Sequence, residues 1–131
     1  MREDILDMIS DLELEATAIF AHYSLEKFVV ILGNILSHPH EDKYKTLKMD
    51  NNVFYSNVGR FTAGIKLLKF IGFEVRRLPE NNKLAYTYAG RVSKEGDFHP
   101  LMQIAYDELK IALAKLKQGQ GDGFNLGQDV P

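Results

Sequence analysis

Two amphipathic helices are predicted over the first third of the chain. Residues 2–22 should form one helix or two short ones, because an i, i+3, i+4, i+7 spacing relates the apolar residues Ile5, Met8, Ile9 and Leu12. A second apolar stripe over residues 25–36 predicts a helix with Ser24 as its N-cap, ending before Pro39 because the residue preceding a proline is pushed out of the α region. The face opposite this stripe carries Lys27, Val30, Ile31 and Asn34.

The rest of the chain predicts a turn, two helices and a hairpin. Asn51 and its neighbours are capping residues for a helical turn over 53–58, and residues 60–71 form a helix that stops at Gly72 followed by an apolar residue. Segments 73–78 and 83–89 flank a Pro-Glu-Asn-Asn turn and predict a β-hairpin. Pro100 opens a last helix expected to end near Lys117. The fold class is therefore α+β, mainly helical with a small antiparallel sheet.

Composition narrows the class of protein. The 131 residues are 45% hydrophobic, which suits one domain, and the glycine-rich stretch 118–131 is expected to be a flexible tail. The absence of cysteine from the sequence excludes disulfide scaffolds and thiolate chemistry. The longest apolar run, 28–32, is far shorter than the roughly 18 residues of a spanning helix, so no membrane partner is expected. The expected location is the cytoplasm, with the nucleus as an alternative.

Charge is unevenly distributed along the sequence. Residues 1–42 hold nine acidic and two basic side chains, whereas residues 43–77 hold eight basic and two acidic ones. The basic segment suits an anionic ligand. Nucleic-acid binding through residues 43–77 is one alternative function, although the net charge of −2 disfavours it. A purely structural helical module, with solvated lysines, is another.

Candidate chemistry points to recognition rather than catalysis. The sequence has no nucleophile elbow, phosphate loop or dinucleotide fingerprint, so no enzyme activity and no cofactor are expected. The cluster His38-Pro39-His40-Glu41-Asp42 lacks the spacing of a metal site, and none is predicted. One group of residues supplies the carboxamides, aromatic face and ammonium groups that hold an extended acidic peptide with an apolar anchor: Asn34, Lys43, Tyr44, Lys48 and Asn51, followed by Phe54. The alternative is that Tyr44 and Phe54 are core residues and Asn51 is only an N-cap.

Several motifs resemble those of the PUB domain. They are Asn34-Ile35-Leu36, His38-Pro39, the run Asp42-Lys43-Tyr44-Lys45-Thr46-Leu47-Lys48, Asn51, Phe54, Gly64, Leu67-Leu68 and Gly72-Phe73-Glu74. The resemblance implies a peptide-binding domain over residues 24–117, with an N-terminal helical extension at 1–23. It also implies a non-enzymatic adaptor in ubiquitin-linked protein quality control. The implied partner is the acidic C-terminal tail of the AAA ATPase valosin-containing protein, or a related short linear motif.

The resemblance also assigns roles to residues. The positions that match the family's tail-binding residues are Asn34, Lys43, Tyr44, Lys48 and Asn51. The two asparagines are expected to hydrogen-bond the ligand main chain, Tyr44 to pack against its anchor, and the two lysines to neutralise its carboxylates. The family often has arginine at Lys45 and Lys48, which would allow bidentate pairing with carboxylates. Asp50 adds an anion beside the expected pocket.

Overall fold

The fold is seen in a computed structural model that describes the backbone of residues 1–129 and the side chains of residues 1–118. Its helices are α1 (Arg2–Ser37), α2 (Asn52–Phe54), α3 (Thr62–Ile71) and α4 (Pro100–Asp129), and its strands are β1 (Thr46–Lys48), β2 (Phe73–Arg77) and β3 (Leu84–Tyr88). A 3-10 turn at Asp42–Lys45 precedes β1, and a π-helical turn at Tyr55–Gly59 follows α2. The predicted α+β class is confirmed.

The residues of the first two predicted helices form one element, α1, whose kink lies at Thr17, inside the first predicted helix. Thr17 has φ 68° and ψ 169°, a backbone conformation that is strained for a β-branched residue. Ser24, predicted as an N-cap, lies inside the second helical segment, so that prediction is wrong. The helix continues through Ser24 because the buried stripe already includes Ala21, one turn earlier. The Ser24 hydroxyl is buried without a hydrogen-bond partner among the described residues.

The three strands form an antiparallel sheet in the order β1-β3-β2. The predicted hairpin is β2 and β3, in which Val75 pairs with Tyr86. Strand β1 was not predicted, because it has only three residues and exists through its pairing with β3, where Leu47 lies opposite Tyr86. β1 is therefore one edge of the sheet.

The core lies between α1, α3, α4 and one face of the sheet. Residues from both segments of α1 join it, so the N-terminal extension and the PUB-like region share one buried cluster. The largest fully buried side chains include Phe28, Phe73, Ile5, Leu12, Leu67, Met102 and Leu109. An ion pair between Arg2 and the largely buried Glu108 also ties the start of α1 to α4.

The N-terminus of α3 is capped from a distant part of the chain. Phe61 occupies its N-cap position and supplies no side-chain acceptor. The carboxylate of Glu15 in α1 instead accepts hydrogen bonds from the backbone N–H groups of Thr62 and Ala63, both at 2.8 Å. At the other end, Gly72 has φ 131° and stops α3, as predicted.

Helical backbone in α4 continues beyond the end expected at Lys117. The sequence predicted an earlier end of this helix because the stretch 118–131 is rich in glycine, which has a low helix propensity. The flexible tail at 118–131 and the boundaries at residues 23 and 117 stay predictions, since side chains after Gln118, and all of residues 130–131, lie outside the described part of the chain.

Helix α1 meets a length and hydropathy criterion for a membrane span. Its most apolar window of 18 residues has a mean hydropathy of 1.3, and 39% of that window is buried inside the protein. A core helix of a water-soluble protein can pass the same test. The finding is therefore weak evidence for a membrane, and the apolar face that is buried belongs to the core described above.

Candidate peptide-binding site

A pocket of about 360 Å³ opens between the second segment of α1, the 3-10 turn, β1 and the start of α2. It brings together all of the predicted site residues, namely Asn34, Lys43, Tyr44, Lys48 and Asn51. Its apolar lining comes from Val30, Ile31, Leu47 and Phe54. Phe54 and Ile31 are buried and form the most inaccessible part of this lining, whereas Asn34, Lys43, Lys48 and Asn51 are exposed. The pocket thus combines an apolar floor with polar groups around it.

Tyr44 is half-buried in the pocket, and its ring is held by neighbours. The His38 ring stacks on it with centroids 4.5 Å apart and an interplanar angle of 27°. The ammonium of Lys43 lies 5.0 Å from the Tyr44 ring centroid and 3.7 Å from the Glu41 carboxylate. His38 Nδ1 is in turn 3.1 Å from the main-chain oxygen of Asn34. An aromatic face placed in this way can receive an apolar or aromatic ligand side chain.

The two asparagines differ in what they can offer a ligand. The Asn34 carboxamide is exposed and makes no hydrogen bond to the described residues, so both its donor and its acceptor are free. Asn51 is the N-cap of α2, where its Oδ1 accepts the N–H of Phe54 at 2.9 Å. Its amide group can still donate. Of the alternatives weighed from sequence, the N-cap role of Asn51 is confirmed, and it leaves one side of the carboxamide for binding.

The electrostatic environment of the pocket is positive. Its lining includes Lys27, Lys43 and Lys48 and no carboxylate. Asp50 lies outside the lining and makes a 3.0 Å ion pair with Lys83. The hydrogen bond and charge of Lys83 lower the pKa of Asp50, so this carboxylate is ionised and paired. The anion expected beside the pocket is therefore directed to another partner.

Part of this site was not predicted from the sequence, although the residues that share one face of α1 with Asn34 indicated it. Lys27, Val30 and Ile31 share the face of α1 that carries Asn34, and that face proves to be one wall of the pocket. The contribution of Leu47 depends on β1, which was not predicted. The stacking of His38 on Tyr44 depends on the turn after Pro39 and has no signature in the sequence.

No metal centre is found in the described part of the chain. There, no group of three or more His, Asp or Glu side chains is placed to hold an ion. Within the cluster considered from sequence, His38 lies against Asn34, while Nε2 of His40 is 3.2 Å from the main-chain oxygen of Lys94. The two imidazoles thus contact different parts of the structure.

Comparison with known proteins agrees with the geometry. UBX domain-containing protein 6 of Caenorhabditis elegans is 29% identical over 146 aligned positions, which cover 98% of this chain and 30% of the relative. The chain therefore spans about 30% of the length of that curated relative. A family model described as the PUB domain matches residues 21–99. The PUB domain is a family of protein-interaction domains, so this match agrees with a protein-binding role. Because the model matches more than half of the sequence, the chain belongs to the PUB domain family.

Proposed function

We propose that this domain is a non-enzymatic adaptor that docks the acidic C-terminal tail of the AAA ATPase valosin-containing protein, or a related short linear motif. The observation that carries the proposal is the convergence of Asn34, Lys43, Tyr44, Lys48 and Asn51 on one pocket with an apolar floor and no carboxylate in its lining. The proposed setting is the cytoplasm, with the nucleus as an alternative.

The size of the pocket favours a short motif over a folded partner. A volume of about 360 Å³ accommodates one or two side chains of a ligand. An aromatic ligand residue would contact Tyr44 and the exposed side chain of Val30 above the buried ring of Phe54, and this apolar contact dominates such small interfaces. A Leu-Tyr pair near the end of an acidic tail meets this requirement.

Polar groups around the floor would then orient the ligand. The Asn34 carboxamide can donate to and accept from a main-chain amide, whereas Asn51 offers mainly its amide N–H groups, because its oxygen already accepts one hydrogen bond within the protein. Lys43 and Lys48 would attract ligand carboxylates and raise the rate of association. Lys48 forms no salt bridge among the described residues, although the pKa of Asp50, which the hydrogen bond and charge of its ion-pair partner Lys83 lower most, is also lowered by the nearby charge of Lys48.

A calorimetric titration with a ten-residue acidic peptide ending in a Leu-Tyr tail tests the proposal. We expect an affinity on the order of micromolar for the wild type, and loss of binding with Asn34→Ala and with Lys48→Glu. Lys69→Glu is the matched control, because Lys69 is exposed on α3 and lies outside the pocket. Absence of binding by the folded wild-type chain, or equal binding by Lys48→Glu and Lys69→Glu, would refute docking at this pocket.

A further inference from the structure

A second and larger groove, of about 790 Å³, lies on the outer face of the sheet. Among the charged side chains that line it, the positive ones outnumber the negative ones: Lys43, Lys45, Lys48, Arg76 and Arg77 against Asp42 and Glu80. We call it the basic groove. The two arginines on β2 were not among the residues assigned to the peptide pocket from the sequence.

Strand register places two of the positive charges of this groove, Lys48 and Arg76, on one face of the sheet on either side of β3. Lys48 of β1 and Arg76 of β2 both pair with Ala85 of β3, so their side chains point to the same face on either side of Ala85. Adjacent strands are about 4.8 Å apart, which puts the two backbones roughly 10 Å from each other. An extended chain crossing the sheet would therefore pass one cation and then the next.

Lys45 brings a positive charge to this groove with only a weak internal partner. Its side chain is 12% exposed, and its carboxylate partner, Asp42 at 3.9 Å, is itself 98% exposed. The ammonium also lies 5.9 Å from the Phe98 ring centroid. An ion pair with so exposed a carboxylate contributes little to stability. A ligand carboxylate in the groove can therefore replace Asp42 at small cost.

The arginines also retain unused donors. Arg76 contacts Glu74 through one nitrogen at 3.0 Å, and Arg77 donates through one nitrogen to the main-chain oxygen of Asn82 at 2.7 Å. A guanidinium carries five N–H groups, so most of those donors remain available for a ligand. Fork-shaped pairing with a carboxylate is the interaction for which arginine is best suited.

The basic groove is continuous with the peptide pocket. Lys43, Thr46 and Lys48 line both, and β1, which separates them, is an edge strand. A chain anchored in the pocket can therefore cross that edge onto the outer face of the sheet. An extended peptide advances about 3.3 Å per residue. Three residues therefore span the roughly 10 Å between β1 and β2, and five residues extend past β2.

We propose that the basic groove is a second subsite for the same ligand, which binds acidic residues lying three to five positions from the aromatic anchor. The inference rests on the proposed function, because the anchor must first occupy the pocket. It assigns Lys45, Arg76 and Arg77 to specificity for an acidic segment, whereas Tyr44 and Asn34 hold the anchor. A short motif without acidic residues at that distance would bind through the pocket alone.

Three peptides and two double variants test this subsite by fluorescence anisotropy. The peptides are an anchor-only pentapeptide, an extended peptide with acidic residues three to five positions from the anchor, and the same peptide with those residues changed to their amides. The test variant is Arg76→Ala with Arg77→Ala. The control is Lys69→Ala with Lys110→Ala, which removes the same charge from positions lining neither the pocket nor the groove.

We expect the acidic peptide to bind the wild type and the control about four- to twenty-five-fold more tightly than the amide peptide, from two exposed charge pairs of two- to fivefold each. The test variant should lose most of this preference and keep only the part that Lys45 contributes. Added salt should reduce the advantage of the acidic peptide in the wild type, which checks the subsite without any substitution.

The outcomes separate the two proposals. If neither the anchor-only peptide nor the extended acidic peptide binds, the proposed function is wrong and this inference falls with it. If either of them binds but acidic and amide peptides have equal affinity, the inference alone is overturned. It is likewise overturned if the test variant keeps the full acidic preference, or if single-stranded RNA binds through Arg76 and Arg77 while acidic residues add nothing.

Discussion

Replacing Glu15 by alanine should destabilise the domain, because this carboxylate caps α3 from α1. It accepts the N–H groups of Thr62 and Ala63 at 2.8 Å each, and α3 has no side-chain cap of its own. Loss of an N-cap side chain costs about 0.5–2 kcal/mol. Two donors lose their partner here, so we expect a loss of about 1–2 kcal/mol in the free energy of unfolding at neutral pH.

The loss should depend on pH with a defined sign. The hydrogen bond from the N–H of Ala63, followed by those from Thr62, lowers the pKa of Glu15 in the folded protein, with burial opposing it. A carboxyl whose pKa is lower in the folded than in the unfolded state stabilises the fold above its unfolded pKa, which is about 4.3. That stabilisation disappears as the pH falls through the folded pKa. Wild type and Glu15→Ala should therefore differ at pH 7 and converge in strong acid.

Urea unfolding followed by circular dichroism at both pH values measures this effect. Glu13→Gln is a suitable control, because burial raises the pKa of Glu13 and Lys115 only partly offsets it. Removing that charge should cost no stability at pH 7. Equal stability of Glu15→Ala and wild type at pH 7, or a difference that persists unchanged in acid, would show that Glu15 does not cap α3.

Three further predictions concern stability and can be checked by the same urea titration. Ser24→Ala should leave the domain equally stable or more stable, because the buried hydroxyl has no partner, whereas an N-cap would cost about 0.5–2 kcal/mol on removal. Gly64→Ala should destabilise by about 1–3 kcal/mol, since an added Cβ would lie 2.7 Å from the main-chain oxygen of Val58. Thr17→Gly should stabilise by up to about 2 kcal/mol by relieving a backbone with φ 68°, and a loss would show that the kink is unstrained.

The elements predicted well were those with strong local signals. The stop of α3 at Gly72 needs a positive φ, and the hairpin carries turn residues between its strands, so both could be read from a few neighbouring residues. β1 has no such signal, because three residues become a strand only when β3 is beside them. The prediction at Ser24 was wrong for a different reason. Serine is a good N-cap residue, but tertiary packing along α1 keeps the helix continuous at this position.

The proposed site residues were chosen for their chemistry and for a resemblance to the PUB domain, and not because they are close in sequence. Asn34 and Tyr44 belong to different elements, and the turn after Pro39 brings them to one pocket. Geometry that depends on that turn, such as the stacking of His38 on Tyr44, could not be obtained from spacing. The sequence indicated only that residues 43–77 are positively charged. It could not predict the basic groove, because strand register determines that Lys48 and Arg76 lie on the same face of the sheet.

Binding of an acidic tail peptide in the pocket formed by α1, the 3-10 turn and β1 can be tested by two-dimensional NMR of the labelled chain, recorded during addition of the ten-residue peptide. We expect the largest shifts in amide signals at Asn34, Tyr44, Lys48 and Asn51, including the side-chain amides of both asparagines. Shifts centred elsewhere, for example on the groove between α1 and α4 that includes Leu6 and Ile111, would contradict it.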